Sequence, residues 1–337
     1  QCHGEHVFHL EISLGFQHRG IERALLGGPT KKTIPIIEGI AGDTVIGHTS
    51  AYCQAVEMLS GIEPPLRAQA LRGIAMELER LANHTGDLGA LANDVGFLPT
   101  ASYCGRLRGE FLNSTAEICG NRFGRCMVRP GGVLWDVEPE RAESIVSRVQ
   151  KALQDIRGAT ETLWDSVSAV ARFEGTGPIT TEIVEKFGLV GTAARACGSE
   201  RDIRRDFPTG IYRFAYMPVD GWPSGDVFAR AYVRWLEIER SCDFVTQLLQ
   251  GLPEGEIRRE TTPLRPNSLA VAITPGWRGR ICHVAITDPS SRFALYKIID
   301  PSFFNWVGVM MALRDQQISD FPLCNKSFNL SYCGHDL

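Results

Sequence analysis

The sequence of 337 residues has no excess of basic charge, no long apolar run and no pair of cysteines in a C-x-x-C spacing. Its 35 lysines and arginines against 39 aspartates and glutamates give a formal net charge of -4, which offers no electrostatic basis for binding nucleic acid. The longest apolar run near the end, 306–313, is far shorter than the roughly twenty residues that cross a bilayer. We therefore predict neither a nucleic-acid partner nor a transmembrane span.

The ten cysteines are scattered along the chain, and their spacing excludes zinc ribbons and thioredoxin-type motifs. Most of them lie in apolar helical stretches, as Cys53, Cys119 and Cys242 do. This pattern is typical of buried, reduced thiols in a cytoplasmic protein.

Helical periodicity dominates the sequence. Apolar residues repeat at helical spacing over 48–60, 66–83, 101–121, roughly thirty residues from Pro139, and 227–249. Alternation predicts a strand within 7–14, and three antiparallel strands at 268–274, 280–286 and 293–299, before short helices resume at Phe303.

These patterns predict a mainly α chain with a small β part, an α+β fold built on an antiparallel helix-bundle core. We divide it into an N-terminal strand and loop region, a helix-bundle core, and an antiparallel β insertion with the C-terminal segment; the ranges are 1–40, 41–262 and 263–337. Because the chain begins at Gln1, close to the predicted strand, we expect an upstream part to be missing.

Four segments are dense in charge, glycine and histidine: 17–22, 38–48, 194–206 and 325–337. Each is weak alone, because a single histidine such as His18 or His48 is more often structural than functional. Shorter motifs fall within and between them. They are His18-Arg19-Gly20-Ile21-Glu22, the helix from Ala51-Tyr52 to Glu57, Pro64-Pro65-Leu-Arg67-Ala-Gln69, Glu77-x-x-Arg80-Leu-x-Asn83-His84, Arg129-Pro-Gly-Gly132, Ala194-Arg195-Ala, and the helix with Arg230 and Glu237.

Taken in this order, the motifs resemble the large subunit of nickel–iron hydrogenases. The resemblance covers nearly the whole chain and is closer to the membrane-associated relatives: energy-converting hydrogenases, formate hydrogenlyase and the 49 kDa-type subunit of respiratory complex I. It implies a hydrogenase large-subunit-like fold.

The metal-binding motifs of catalytic hydrogenases are degenerate in this sequence. Those enzymes carry C-x-x-C-x-x-x-H early and D-P-C-x-x-C late, since soft thiolates stabilise low-valent metals. The resemblance keeps the histidine as His48. It places the four cysteine positions as follows: Ala41, Thr44, Ser331 and Gly334. The sequence therefore predicts that this chain holds no nickel–iron centre, because all four thiolate ligands are missing.

The vacated cavity is the expected working site, because complex I has lost the same thiolates and binds quinone there. The resemblance places the headgroup tyrosine at Gly42 and the redox-linked histidine at Leu91, so both are absent. It retains Asp94, which would partner a quinone-site histidine. We assign His48, Asp43 and Asp94 as catalytic.

The expected cavity is lined by Asp43, Thr44, His48, Ser331 and His335. Histidines titrate near neutrality, so proton coupling is one use of this lining. A small zinc site formed by His48, Cys333 and His335 is an alternative.

The resemblance also implies a partner, a small subunit that holds an iron–sulfur cluster beside the vacated site. The residues expected to face it are His18, Arg19, Glu22, His84 and Arg129. A cation at Arg19 would stabilise the reduced cluster. The alternative is that Arg19 pairs with Glu22 or Glu38 in a buried network.

The leading functional hypothesis is an oxidoreductase subunit of a membrane-associated, complex I-like assembly at the cytoplasmic face of the membrane. It would bind no cofactor itself, take electrons from the iron–sulfur subunit and pass them to an acceptor, with quinone as the family-based choice. NADH dehydrogenase activity and NAD binding would belong to the assembly. The alternatives are a non-catalytic scaffold that docks the iron–sulfur subunit to a membrane arm, and a component of a formate hydrogenlyase-like complex.

We predict that the purified native complex carries no nickel in this chain. Ala41 and Gly334 offer no donor atom, and Thr44 and Ser331 offer only hard hydroxyl oxygens. Elemental analysis of the purified complex measures this directly, and one nickel per chain would contradict the prediction.

Overall fold

Helices dominate the computed structural model, which describes residues 1–337 and confirms the predicted mainly α chain with a small β part. The helices are α1 (Ile21–Leu25), α2 (Thr33–Glu38), α3 (Val45–Ser60), α4 (Leu66–Asp94), α5 (Leu98–Cys119), α6 (Pro139–Trp164), α7 (Val167–Phe173), α8 (Thr181–Phe187), α9 (Gly191–Arg195), α10 (Ile203–Asp206), α11 (Val227–Gln250), α12 (Pro301–Ala312), α13 (Phe321–Phe328) and α14 (Tyr332–Asp336). The strands are β1 (Cys2–His3), β2 (His6–Val7), β3 (Val128–Arg129), β4 (Gly132–Val133), β5 (Leu269–Gly276), β6 (Gly279–Thr287) and β7 (Phe293–Ile299). No helix has the length and apolar character that crossing a bilayer would require.

The core is built on four long helices, with α4 packed on α5 and α11, and α6 packed on the same two. Helix α4 runs eleven residues beyond the predicted end at Asn83, as its last residue is Asp94. It passes through Gly89, where a Cβ atom would lie 3.0 Å from the Cβ of Cys104 on α5. The missing side chain lets the two helices approach closely, and this packing offsets the roughly 1 kcal/mol that a glycine costs inside a helix.

The long helix predicted from Pro139 is interrupted. Helix α6 ends at Trp164 and α7 begins at Val167, because Ser166 between them has an extended backbone. Asp165 and Ser166 are residue types whose side chains compete for backbone hydrogen bonds, so they favour helix ends. Trp164 itself packs edge-on against Phe228 and Tyr232 at the start of α11.

The three predicted C-terminal strands are confirmed as an antiparallel sheet in the order β5-β6-β7. Its inner face lies on α3. The inward positions of β5 are alanines, Ala270 and Ala272, which let α3 come close. The inward positions of the other two strands include His283 and Tyr296, both almost fully buried.

The strand predicted within 7–14 is wrong apart from Val7, which pairs with Cys2 in a two-residue ladder. Leu10, Ile12 and Leu14 keep the alternation and pack half-buried on the core, but no neighbouring strand pairs with them. The alternation of apolar residues reflects an extended segment that is buried on one side. A β-strand also needs a hydrogen-bonded partner strand, which this segment lacks. The 1–40 region also holds α1 and α2, which the strand and loop description missed.

A buried network of charges joins the helices. Three arginines and three carboxylates, all at most 6% exposed, connect α4, α9, α10 and α11; they are Arg80, Arg195, Arg204, Glu77, Asp202 and Glu237. At its centre Glu237 contacts Arg195 at 2.8 Å and also Arg204. Burial alone would raise the pKa of Glu237, but the arginine charges outweigh burial and hold the pKa well below its usual value. This carboxylate therefore stays ionised in the core.

We predict that Glu237→Gln destabilises the chain by about 3–5 kcal/mol, because it leaves buried arginines without a counter-charge. Glu239→Gln is the matched control on the same helix. Glu239 pairs with Arg157, whose side chain is 50% exposed, so this change should cost less than about 1 kcal/mol. Urea unfolding followed by circular dichroism gives both values, and similar losses for the two variants would contradict the prediction.

Candidate functional site

The two segments that correspond to the lost metal motifs meet in the core. Residues 41–48 lead into α3, and residues 331–336 surround α14. The Arg19 guanidinium bridges them, because its Nη2 donates to the carbonyls of Ile40 at 2.7 Å and Cys333 at 2.9 Å.

Two of the four former cysteine positions, Ala41 and Gly334, have no donor atom in the side chain, and the hydroxyls of the other two are hydrogen-bonded to neighbours. Ala41 is buried, and the Thr44 hydroxyl donates to Asp43 at 3.0 Å. The Ser331 hydroxyl accepts from the Gly334 N–H at 2.9 Å. Nowhere in the chain are three His, Cys, Asp or Glu side chains arranged to hold a metal. This donor set does not fit nickel, since hydroxyl oxygens are hard ligands.

The alternative zinc site is wrong. Both ring nitrogens of His48 are in hydrogen bonds, to His283 at 3.1 Å and to Asp300 at 3.0 Å. His335 instead contacts Asp336 through Nδ1. Cys333 has its sulfur 3.3 Å from the Ser331 hydroxyl. The three predicted ligands therefore have separate partners.

Asp43, predicted to be catalytic, forms a two-pronged ion pair with Arg278, with contacts of 2.8 and 2.7 Å. The guanidinium lies 3.9 Å from the ring centre of Trp277, and its Nε donates to the Asn329 carbonyl. Burial would raise the pKa of Asp43, but the charge and hydrogen bonds of Arg278 hold it below the usual value. Asp43 is therefore an ionised structural partner of the loop between β5 and β6, and it is not a free acid or base.

His48, also predicted to be catalytic, lies in a row of four buried side chains. Its Nε2 contacts Asp300 at 3.0 Å and its Nδ1 contacts His283 Nε2 at 3.1 Å. The Nδ1 of His283 contacts the Tyr296 hydroxyl at 2.9 Å. His48 and His283 are 0% exposed, so solvent does not interrupt the row.

The electrostatics of this row differ from one end to the other. Burial would raise the pKa of Asp300, but the hydrogen bond from His48 and, when His48 is protonated, its charge outweigh burial, and the pKa of Asp300 falls below its usual value. Burial, with the neighbouring His48, lowers the pKa of His283 well below the usual range. His283 is therefore neutral at physiological pH, and Asp300 is ionised.

Glu79, which the sequence motifs did not single out, closes the N-terminus of α3. Its carboxyl accepts from the backbone N–H groups of Ile46 at 2.7 Å and Gly47 at 3.2 Å. These bonds would lower the pKa of Glu79, but burial is the larger effect and raises it to about 8. A cavity of about 20 Å³ beside Glu79 also borders Gly42 and Asp43.

The residues predicted to face the small subunit fall into two groups. Arg19 and His18 lie on the surface, and the His18 Nδ1 contacts the carbonyl of Asp336 at 2.8 Å. Arg19 also donates to the Gly39 carbonyl and forms no ion pair, so the alternative that it pairs with Glu22 or Glu38 is wrong. Glu22 instead pairs with Lys297 and accepts from the Ile298 N–H on β7.

The other two residues, His84 and Arg129, are held by carboxylates of the chain. His84 is 0% exposed, and its Nε2 contacts Glu237 in the buried charge network, so a partner-facing His84 does not agree with the structure. Arg129 contacts Glu38 at 3.2 Å.

Asp94 is exposed at the end of α4 near Lys326, and it makes no hydrogen bond with the groups around His48. The structure does not bring the three predicted catalytic residues together.

Five residues of the site were missed by the sequence reasoning: Asp300, His283, Tyr296, Arg278 and Glu79. Two signals were present. His283 and Tyr296 occupy inward positions of strands that alternation predicts correctly. Asp300 precedes Pro301 and caps α12 by accepting from the Ser302 N–H, an N-terminal signature visible in the sequence.

The main cavities of the chain lie elsewhere. Two of them, of about 450 and 510 Å³, border the buried charge network and the α3–α4 surface. Neither is lined by His48, Ser331 or Gly334. The space expected between the lost motifs is filled by the Asp43–Arg278 pair and by Asp300.

Comparison with known proteins agrees with the resemblance. Residues 94–272 match the family described as respiratory-chain NADH dehydrogenase, 49 Kd subunit. The carbon monoxide-induced hydrogenase of Rhodospirillum rubrum is 30% identical over 97% of this chain and 91% of its own length. A subunit of the NADH-quinone oxidoreductase of Chloroherpeton thalassium is 33% identical over 76% of this chain and 58% of its own length. A subunit of the F(420)H(2) dehydrogenase of Methanosarcina mazei is 30% identical over 89% of this chain and 79% of its own length. The chain therefore belongs to the family of the 49 kDa subunit of respiratory-chain NADH dehydrogenase.

Proposed function

We propose that this chain is a nickel-free subunit of a membrane-associated, complex I-like oxidoreductase, bound at the membrane periphery. It receives an iron–sulfur subunit on the face that carries Arg19 and hands electrons from that subunit to an acceptor of the quinone class. The chain supplies a cation and a proton acceptor to the transfer, and no metal.

The observation that carries this proposal is the pair formed by His48 and Asp300. It is fully buried and lies against Gly334, where an added Cβ would sit 2.7 Å from Asp300 Oδ2. A histidine that is hydrogen-bonded to a carboxylate can take up a proton when negative charge appears nearby. The former metal position therefore keeps a group suited to proton-coupled electron transfer.

Arg19 supports the same proposal. Its guanidinium is held by three backbone carbonyls, of Gly39, Ile40 and Cys333, and no carboxylate neutralises it. An unpaired cation fixed over the vacated site would favour the reduced, more negative form of a cluster or acceptor placed against it.

A scaffold without redox work is the second candidate. The observation that favours it is that the Asp43–Arg278 pair fills the vacated space. An acceptor could then bind only on the side of the partner subunit. The two candidates differ in whether Arg19 and His48 affect electron transfer.

We predict that Arg19→Met lowers the midpoint potential of the partner's iron–sulfur cluster in the assembled complex. At an effective dielectric of about 20 and a separation of roughly 8 Å, one charge is worth about 2 kcal/mol. That corresponds to about 90 mV for a one-electron couple, and solvent screening of this exposed residue reduces it to several tens of millivolts. Redox titration followed by electron paramagnetic resonance measures the potential.

Arg19→Lys is the control for this measurement. It keeps the charge and loses the fixed, forked contacts to the carbonyls. If the cluster potential falls in Arg19→Met but stays near that of the unchanged complex in Arg19→Lys, the effect is due to the charge. Equal potentials in all three complexes would contradict a role for the cation.

We predict that His48→Gln slows quinone reduction by the assembled complex by on the order of a hundredfold, because the glutamine side chain cannot take up the proton. The assay uses a reduced viologen as donor and a water-soluble quinone as acceptor. His9→Gln is the control, because His9 is exposed and its side chain has no hydrogen-bond partner in the chain. If His48→Gln and Arg19→Met both turned over normally, the scaffold candidate would be correct.

A further inference from the structure

The row from Tyr296 to Asp300 runs through the buried core. It uses one side chain from each of β7, β6 and α3, followed by the residue that caps α12. Its three links measure 2.9, 3.1 and 3.0 Å, all within hydrogen-bond range. None of these groups is needed to hold a metal, and the motifs that carry the family resemblance do not include His283 or Tyr296.

The row has two complete hydrogen-bonding arrangements. When His48 is neutral, its Nε2–H donates to Asp300, and His283 Nε2–H donates to His48 Nδ1. The Tyr296 hydroxyl then donates to His283 Nδ1. When His48 carries a second proton, its Nδ1–H donates to His283 Nε2, and His283 Nδ1–H donates to the Tyr296 oxygen. The two arrangements differ by one proton, and no ring has to rotate between them.

The two ends of the row face different surroundings. Asp300 lies at the vacated site, where the charge of Arg278 acts on it. Tyr296 lies against Tyr52, with ring centres 6.5 Å apart, and Tyr52 lines a separate cavity of about 360 Å³ that also borders Pro29, Pro130 and Arg292.

The other titratable groups beside Tyr296 stay uncharged. Burial raises the pKa of both Tyr52 and Cys53 far above their usual values. His283 is kept neutral by burial and has no carboxylate partner, whereas His48 lies 3.0 Å from Asp300, so a proton that enters the row rests on His48. There it is stabilised by the carboxylate of Asp300.

We propose that Tyr296 and His283 form the path by which one proton reaches His48, with Tyr296, which packs on the cavity-lining Tyr52, as its outer end. This inference rests on the proposed function, because the proton is drawn in when the acceptor gains an electron from the partner's iron–sulfur cluster. The Tyr296 O–H proton moves to His283 Nδ1, the His283 Nε2 proton moves to His48 Nδ1, and Tyr296 regains a proton from water. On reoxidation the electron leaves the acceptor, and the same steps run in reverse.

Two variants test the path in the assembled complex, with proton uptake followed by a pH-indicator dye after rapid reduction. Tyr296→Phe keeps the ring and removes the hydroxyl, and His283→Ala removes the middle group. Each should slow uptake by at least about tenfold, since relayed proton transfer of this kind contributes that much or more. Added imidazole should restore uptake in His283→Ala and leave Tyr296→Phe slow, which a merely structural loss would not do.

The matched control is Tyr212→Phe. Tyr212 is also a buried tyrosine, and its hydroxyl donates to Glu77 at 2.6 Å in the charge network. Its loss should cost stability and leave the rate of proton uptake unchanged. A slowing equal to that of Tyr296→Phe would overturn the proposal, because the effect would then follow from core destabilisation.

Nitrogen NMR of the histidine rings in the full chain provides a second measurement. His283 should carry its proton on Nε2 while His48 is neutral; a proton on Nδ1 in that state would overturn the proposal. Normal uptake in Tyr296→Phe and His283→Ala, with His48→Gln still slow in turnover, would overturn the path and leave the proposed function standing. Normal uptake and turnover in all three variants would overturn both.

Discussion

The ion pair between Asp43 and Arg278 connects the parts of the molecule that a metal centre would otherwise connect. Arg278 reaches Asp43 and Thr44 at the head of α3 and the Asn329 carbonyl just before Ser331. Thiolates shared by two metals could cross-link these two segments in a hydrogenase. Here a guanidinium with five donors makes the same connection with oxygen acceptors, and the Trp277 ring covers its flat face. The arrangement of α3, the sheet and α14 around the vacated site depends on this contact.

A buried ion pair holds such a site only when its hydrogen bonds are complete, because desolvation opposes the pairing. Both oxygens of Asp43 are used by Arg278, and the backbone carbonyl of Asp43 accepts from Trp277 and Asn83. The row through His48 meets the same requirement, since each ring nitrogen in it has a partner. His84 differs, because its Nδ1 is buried without a partner. The vacated site is therefore more completely satisfied than the charge network beneath it, and this completeness explains how the space can be filled without a metal.

The sequence predicted the fold class, the long helices and the three C-terminal strands, because each of these depends on a local apolar period. The sequence-based prediction failed where tertiary contacts determine the secondary structure. The extended segment around Ile12 has a strand's alternation without a strand's partners, and α4 continues past Asn83 because Gly89 packs on α5. The same limit applied to the prediction of the site residues. His48 and Asp43 were found through motif positions, whereas Asp300 lies 252 residues from His48 in the sequence, and only folding brings the two together. Asp94 was assigned by resemblance alone, and the fold places it on the surface.

Charge balance indicates which group responds when an electron arrives next to this site. Asp43 is neutralised by Arg278, and Glu79, with a pKa of about 8, is mostly protonated at neutral pH. Arg19 is a permanent cation, so it shifts the energy of an added electron without changing its own state. Among the fully buried groups around the vacated site, His48 is the one that contacts both a carboxylate, Asp300, and a second imidazole, His283, so an added proton would be placed there by the geometry. Under the proposed function, this set of side chains would couple a proton to an electron that passes close by.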